Sequence, residues 1–434
     1  MIRVKKKTST SFINDYEKER FPCTKEWWCI EGFFTTVKDN KKWSFRAEVY
    51  QAMTRSKVVG SIYSMTVFDL TNDKTYKCIS ENYSSKLESA KDRFHVKYDE
   101  SYMEGSFPTY HMYFKDLKNN LDLDIECNAE SSPYWIAQQV TDGWIPWGLG
   151  YYRYGFIPKN GIKGTIKIGN EVFSIKGEGY LEHIFGDFSF LHLKAPKVSI
   201  RKIISIYAKL FDWWIRSQKI KIPKSIVLST GNSPVGYDWL WSVLDNGWSL
   251  FYGNLVFWMT GGPTTGVLIL SKDGKKYTEF GNMHFKYITM KYVPEYDFYY
   301  PTELEITSEK GNEKLYLHFK NTSKGFEDIA EVTDSEKILG YVISQVPGTV
   351  EGYYSDGVEK ISISGNSKME SHRLLKVFGH NSLRFDFKLS KNCFGIMSSF
   401  DSHYFGKKMD INLQFLPKPK LKIKYDRINK PRLK

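Results

Sequence analysis

Residues 121–127 read LDLDIEC, with Leu121, Leu123, Ile125 and Cys127 on one parity and Asp122, Asp124 and Glu126 on the other. Successive side chains of a β-strand point to opposite faces, so this stretch predicts a strand with one face in a core and one in water. A face left to water is a mark of antiparallel sheets. Upstream, WSFRAEVYQAM (43–53) sets Phe45, Ala47 and Val49 against Arg46, Glu48 and Tyr50. Downstream, GTIKIG (164–169), NEVFSIKG (170–177), KLYLHFK (314–320) and EKISISG (359–365) repeat the period of two. Between the strands stand turn-forming stretches such as DNKK (39–42), TNDK (71–74) and SKDGKK (271–276).

Many short strands joined by tight turns point to an all-β protein built of antiparallel barrels or sandwiches. The 434 residues leave room for two such domains, and we expect them at 1–292 and 293–434. The composition is 16% aromatic, which suits β structure with a large internal face to line. One insertion, at about 196–222, breaks the pattern. Its Ile200, Ile203, Ile204, Tyr207, Leu210, Phe211, Trp214 and Ile215 recur at helical spacing, with Arg201, Lys202, Lys209, Arg216 and Lys219 among the remaining positions. This is a basic amphipathic helix. It packs across a barrel mouth or between domains, or lies in a membrane interface, where Lys/Arg beside Trp and Ile is the usual composition. The two coexist if the helix is a lid that faces lipid.

The net charge of +13 favours polyanionic surroundings, and it gathers at MIRVKKK (1–7) and at LPKPKLKIKYDRINKPRLK (416–434). No nucleic-acid-binding motif accompanies it, so specific nucleic-acid recognition is not expected. The helix at 198–219 and the two basic tails suit peripheral contact with an anionic membrane. Five scattered cysteines without a C-x-x-C pair argue against a disulfide framework and structural zinc. No apolar core follows the basic N-terminus and no stretch reaches about 20 apolar residues, so neither a secretory signal nor a membrane span is expected. A cytoplasmic protein, in peripheral contact with a membrane if anywhere, is the expectation. Nucleophile-elbow, phosphate-loop, zincin and dinucleotide fingerprints are all missing, and the nine histidines have no ligand spacing. No metal and no cofactor is therefore expected.

The chemistry gathers in IKGEGYLEHIFGDF (175–188). Strand parity puts Glu178, Tyr180 and Glu182 on one face and Gly177, Gly179, Leu181 and His183 on the other. Glycines inside a strand mark a bend or a close approach. The same parity pairs Tyr152 with Tyr154 on the preceding strand.

Six stretches carry a resemblance to a known family: EWWCIEGFF (26–34) with WSFRAEVYQ (43–51); YYRYGFIPKNGIKGTIKIGNEVFSIKGEGYLEHIFGDF (151–188); GYDWLWSVLDNGWSLF (236–251); and, more faintly, YYPTELEITSEKGNEKLYLHFK (299–320) and PGTVEGYYSDGVEKISISG (347–365). They resemble the lipocalin-like hydroxyneurosporene synthase (carotenoid hydratase, AttH/CrtC-type) family, which also includes Diels–Alderase-type cyclases. The resemblance implies two consecutive lipocalin-like (calycin) β-barrels, the first holding the helical insertion. In the hydratases the motif G-x-G-Y-[LH]-D-H-x-x-G supplies the acid that protonates an alkene. By position that role falls on Glu182, in place of the aspartate, with Tyr180 beside it. An upstream His-x-Trp pair of the hydratases aligns with Tyr152 and Tyr154.

A carboxyl within an apolar, aromatic barrel pocket could act as a general acid, and aromatic faces could stabilise the resulting cation. We take Glu182 and Tyr180 as candidate catalytic residues. Tyr152, Tyr154, Trp28, Glu178 and Trp239 are candidate substrate-binding residues, and His183, Asp187 and Asp238 supporting ones. Each has a plainer role open to it: Glu182 paired with a surface lysine, the tyrosines as barrel filling, His183 and Asp238 as buried hydrogen-bonding groups, Asp187 as a turn residue. Three functions stand side by side at this point. One is a cofactor-free hydratase or cyclase of an apolar, isoprenoid- or polyene-like molecule. The second is a carrier or sensor that binds such a lipid or pigment without chemistry. The third is a membrane-surface structural protein working through the basic helix and tails. The residues alone leave the oligomeric state undetermined.

Overall fold

The computed structural model describes residues 16–20, 22–54, 57–82, 87–147, 150–188, 198–217, 225–228, 236–253, 258–259, 262–263, 267–294, 298–321, 332–333, 340–374, 381–390, 393–402 and 407–427. The basic N-terminal stretch, both ends of the 196–222 insertion and the last residues of the C-terminal tail lie outside them.

The chain is nearly all β, as the period of two predicts. Its first sheet contains β1 (Lys25–Thr36), β2 (Lys42–Thr54), β3 (Lys57–Asp69), β4 (Lys74–Asn82), β5 (Leu87–Ser89), β6 (Phe94–Tyr98) and β7 (Ser101–Ser106). It continues with β8 (Thr109–Asp116), β9 (Leu121–Ala129), β10 (Tyr134–Trp135), a helical turn α1 (Gln138–Thr141), β11 (Trp144–Trp147), β12 (Gly150–Ile168) and β13 (Glu171–Asp187). The spatial order is β4-β3-β2-β1-β13-β12-β9-β8-β7-β6-β5, with β10 and β11 paired to β12. The sheet curls on itself. The Tyr63 hydroxyl of β3 donates to the Lys115 carbonyl of β8 at 3.1 Å, and Tyr98 of β6 donates to the Ser80 carbonyl of β4 at 3.1 Å.

The concave side holds one continuous core to which Trp28, Ile30, Phe45, Ala47, Val49, Leu123, Ile125, Leu181 and Phe185 belong. The predicted parities of 43–53 and 121–127 therefore hold: the apolar set faces inward in both. Glycines of β12 and β13 sit where this core is crowded. A Cβ on Gly179 would stand 2.6 Å from Ile162 Cδ1, and one on Gly155 would stand 2.5 Å from the Trp135 ring. The close approach that these glycines permit is made by core side chains.

After β13 comes α2 (Ile200–Ser217), the predicted amphipathic helix. Ser199 caps it, its Oγ accepting the Lys202 amide at 3.4 Å. Ile203 and Ile206 are buried against Tyr151, with Trp144, Val198, Tyr207 and Leu210 packed around them. The helix thus packs on the first sheet's own residues, but only part of its apolar arc does so: Ile200 and Ile204 are exposed. Among the described residues no helix is long and apolar enough to cross a membrane.

The later strands are β14 (Ser225–Leu228), β15 (Gly236–Leu244), β16 (Ser249–Gly253), β17 (Trp258–Met259), β18 (Gly262–Pro263), β19 (Val267–Ser271), β20 (Tyr277–Val293), β21 (Phe298–Lys310) and β22 (Glu313–Asn321). They end with β23 (Val332–Thr333), β24 (Gly340–Ser355), β25 (Lys360–Leu374), β26 (Asn381–Ser390), β27 (Cys393–Ser402), β28 (Lys407–Leu416) and β29 (Lys420–Arg427). The order β22-β21-β20-β19-β16-β15-β25-β24 returns on itself through a β22–β24 pairing, which makes a closed eight-stranded barrel. A five-stranded sheet runs β14-β26-β27-β28-β29. The expected pair of consecutive barrels is realised as one curled sheet and one closed barrel. The compact units do not divide at residue 292: residues 1–216, 241–250 and 270–278 form the first, and 217–240, 251–269 and 279–434 the second. Sequence alone hides such a division, because these strands look alike whichever unit they join.

Replacing Gly155 by alanine forces a methyl into the Trp135 ring. We expect a loss of about 1–3 kcal/mol, the usual cost of overpacking, read from the midpoint of urea unfolding.

Candidate active site on the outer face of the first sheet

The side of a strand on which a residue falls decides its chemistry here. β1 pairs with β13 so that Trp28 lies opposite His183, Cys29 opposite Glu182 and Glu31 opposite Tyr180. On the other edge of β13, Phe156 of β12 lies opposite Glu182, and Tyr154 opposite Ile184. Two surfaces result. Trp28, Leu181, His183 and Phe185 line the concave core, while Trp27, Cys29, Glu31, Tyr152, Tyr154, Phe156, Tyr180 and Glu182 share the opposite face. Sharing of a face by Tyr180, Glu182, Tyr152 and Tyr154 follows the predicted parity. This face is the one turned away from the concave side, which the aromatic and aliphatic core already fills.

Glu182 is only 5% exposed. One of its oxygens accepts a short hydrogen bond from the Tyr154 hydroxyl, and the other accepts the Trp27 indole N–H at 3.3 Å. Tyr180 donates in turn to the Tyr154 hydroxyl at 3.0 Å, so a chain Tyr180–Tyr154–Glu182 runs through the site. Burial, and after it the charge of Glu182, hold both phenols well above their ordinary range. Both therefore remain protonated donors at neutral pH.

Aromatic rings enclose this chain. Tyr180 stacks on Trp241 with centroids 5.5 Å apart and on Phe156 at 5.7 Å. Tyr152, buried, packs against Phe188 at 5.0 Å, and Trp27 packs against both Tyr50 and Phe188. A second buried carboxylate, Glu31, accepts Arg46 Nε at 3.0 Å and the Trp241 indole at 3.2 Å. Arg46 also reaches Glu48 at 2.5 Å. The Cys29 thiol lies 3.8 Å from Glu31, and burial raises it well above the usual thiol range. Lys25, on the same face of β1, has its ammonium 5.6 Å from the Tyr50 ring and 5.8 Å from the Phe188 ring. Burial pulls this lysine down to about 8.

Other candidates lie elsewhere. Trp28 does not reach Glu182; it stacks on His183 within the core at 5.1 Å. His183 is wholly buried, held at Nδ1 by the Tyr16 carbonyl (2.6 Å) and at Nε2 by Glu26 (2.8 Å). Gln51 and the Arg20 amide satisfy the rest of Glu26. This network ties the residues before β1 to β13 and has a structural role. Asp187 ends β13 rather than making a turn, and it accepts both the amide and the hydroxyl of Thr24. Glu178 stands half-exposed, 3.8 Å from Lys159, which it shares with Glu130. In the second unit, Asp238 is buried and accepts the hydroxyls of Tyr287 and Ser371, while Trp239 packs edge-on against Phe251. Among the described residues, no group of three or more His, Cys, Asp or Glu side chains is placed to hold a metal ion.

Sequence reading missed Lys25, Trp27, Glu31 and Trp241. The signal was present for three of them: in KEWWCIEGF the odd positions share a face, and a strand cannot send both of two adjacent tryptophans to one side. Trp28 was the wrong member of that pair.

Comparison with solved structures places this architecture. A protein assigned as an AttH from Nitrosomonas europaea superposes with a TM-score of 0.56 at 14% identity, over 86% of this chain and 98% of its own. Kievitone hydratase from Nectria haematococca superposes with a TM-score of 0.52 at 10% identity, over 81% of this chain and 89% of its own. No sequence-family model matches the chain, nor does any curated protein. The chain therefore shares the fold of these two proteins. At these identities the likeness is one of fold, and the side chains above must carry the chemistry.

Lys25 supplies a test of this environment. Between about pH 8 and its unfolded value near 10.5 the folded state binds fewer protons than the unfolded state, so stability rises with pH across that window. Below pH 8 the buried charge costs its full amount. Lys25→Met should therefore raise the thermal midpoint at pH 7 by on the order of 2–4 °C, and calorimetry should find the gain gone above pH 10.5.

Proposed function

We propose that the chain is a cofactor-independent hydratase or cyclase of an apolar, isoprenoid- or polyene-like small molecule, with Glu182 exchanging the reacting proton. The observation that carries this reading is the buried chain Tyr180–Tyr154–Glu182, walled by Trp27, Phe156 and Trp241. A carboxyl group at the end of a chain of two phenols can give a proton to a double bond or carbonyl and recover it from the adding nucleophile. The cation formed between these events faces aromatic rings, whose negative π-faces stabilise it. Tyr154 and Trp27 keep the carboxyl oriented, because a side chain bonded at both oxygens has little freedom to turn. Kievitone hydratase, by its name, adds water to an organic substrate, and its sharing of this fold supports hydration as one outcome; closure by an internal group is the other.

The test is turnover on a panel of prenylated and polyene compounds, followed by mass spectrometry. Glu182→Gln keeps the shape and removes the proton, and should lower kcat by roughly 10²–10⁴-fold. Tyr154→Phe removes two hydrogen bonds, the one donated to Glu182 and the one accepted from Tyr180, and should cost roughly 10- to 100-fold. Undiminished product from Glu182→Gln would remove this residue from the mechanism. Binding of an unaltered ligand by wild type and variant alike would instead assign a carrier.

A further inference from the structure

The helix α2 divides into three strips. Its docked strip, Ile203, Ile206 and Leu210, packs on Tyr151 and Trp144. Lys202 lies at the edge of this strip, its ammonium 3.2 Å from the Trp144 ring and 4.1 Å from that of Tyr151. A second strip is apolar yet faces outward: Ile200 is 47% and Ile204 is 62% exposed, and Ala208 follows at the same spacing, also exposed. A third strip is basic and exposed, with Arg201, Lys209 and Arg216 against a single acid, Asp212, which Arg216 pairs at 2.8 Å.

A helix that only covers a sheet needs one apolar strip, and its outer surface is expected to be polar. The outer strip here is apolar and lies beside the cations. Two branched side chains one turn apart, held rigidly on a docked helix, give a wedge that can enter the headgroup layer without any ordering of the chain. The adjoining arginine and lysine side chains then sit at the depth of the phosphates, their stems along the apolar surface and their charges outward.

We propose that α2 is a docking surface for an anionic lipid bilayer, with Ile200 and Ile204 entering the interface and Arg201 and Lys209 facing the headgroups. The charge of the flanking strip selects this occupant over a neutral surface, and the inference stands independently of the acid–base reading.

Flotation of the full chain with vesicles tests it without any substrate. The wild type should float with phosphatidylcholine vesicles carrying about 30% phosphatidylserine and stay behind with phosphatidylcholine alone. The double variant Ile200→Asp/Ile204→Asp should bind at least about tenfold more weakly. The double variant Arg201→Gln/Lys209→Gln should lose roughly fivefold per charge, and this pair leaves the apolar strip intact should the first variant fold poorly. Vesicle binding that is equal in wild type and both variants would overturn the proposal, as would a wild type that ignores anionic vesicles. A concentration-dependent dimer in light scattering that Ile204→Asp abolishes would also overturn it, by giving the strip to a second copy.

Discussion

The register of β1 against β13 is the constraint on which the rest of the structure depends. A shift of one residue would carry every side chain of either strand to the other face of the sheet. With Trp28 opposite His183 and Cys29 opposite Glu182, one face becomes a dry aromatic core and the other a cluster of buried carboxylates and phenols. Twelve register pairs and the continuous concave core hold this arrangement. The core supplies the force, since each buried aromatic side chain that slipped outward would lose on the order of 2–3 kcal/mol of burial.

The polar groups divide the work in a consistent way. His183, Glu26 and Gln51 form a closed set whose partners all belong to the residues before and within the first strands, and it ties the start of the chain to β13. Glu31 is neutralised by Arg46 and held by Trp241. Glu182 accepts from a phenol and an indole, those of Tyr154 and Trp27.

Legibility varied between particular elements. The strand at 121–127 could be read outright, since its apolar and acidic residues alternate without interruption and burial follows that alternation. The sharing of one face by Tyr180, Glu182, Tyr152 and Tyr154 could also be read, because it needs only parity and the antiparallel pairing of two neighbouring strands. Which face it was could not be read: Gly177 and Gly179 make the odd positions of β13 look vacant, though Phe34 and Ile162 fill that space. Trp27 and Trp28 are likewise indistinguishable until the register of β1 is known. The helix was visible by its spacing, while its division into a docked and an exposed apolar strip depends on where Tyr151 and Trp144 meet it.

The sequence by itself determined the β class, the parity sets and the position of the helix, because these follow from local periodicity within a single element. Tertiary structure decided the inner and outer sides of the first sheet, the identity of the tryptophan bonded to Glu182, and the arrival of Trp241 over Tyr180. Each of these depends on which distant strand supplies the neighbouring atoms, and the burial that gives Glu182 its character exists only once those strands have come together.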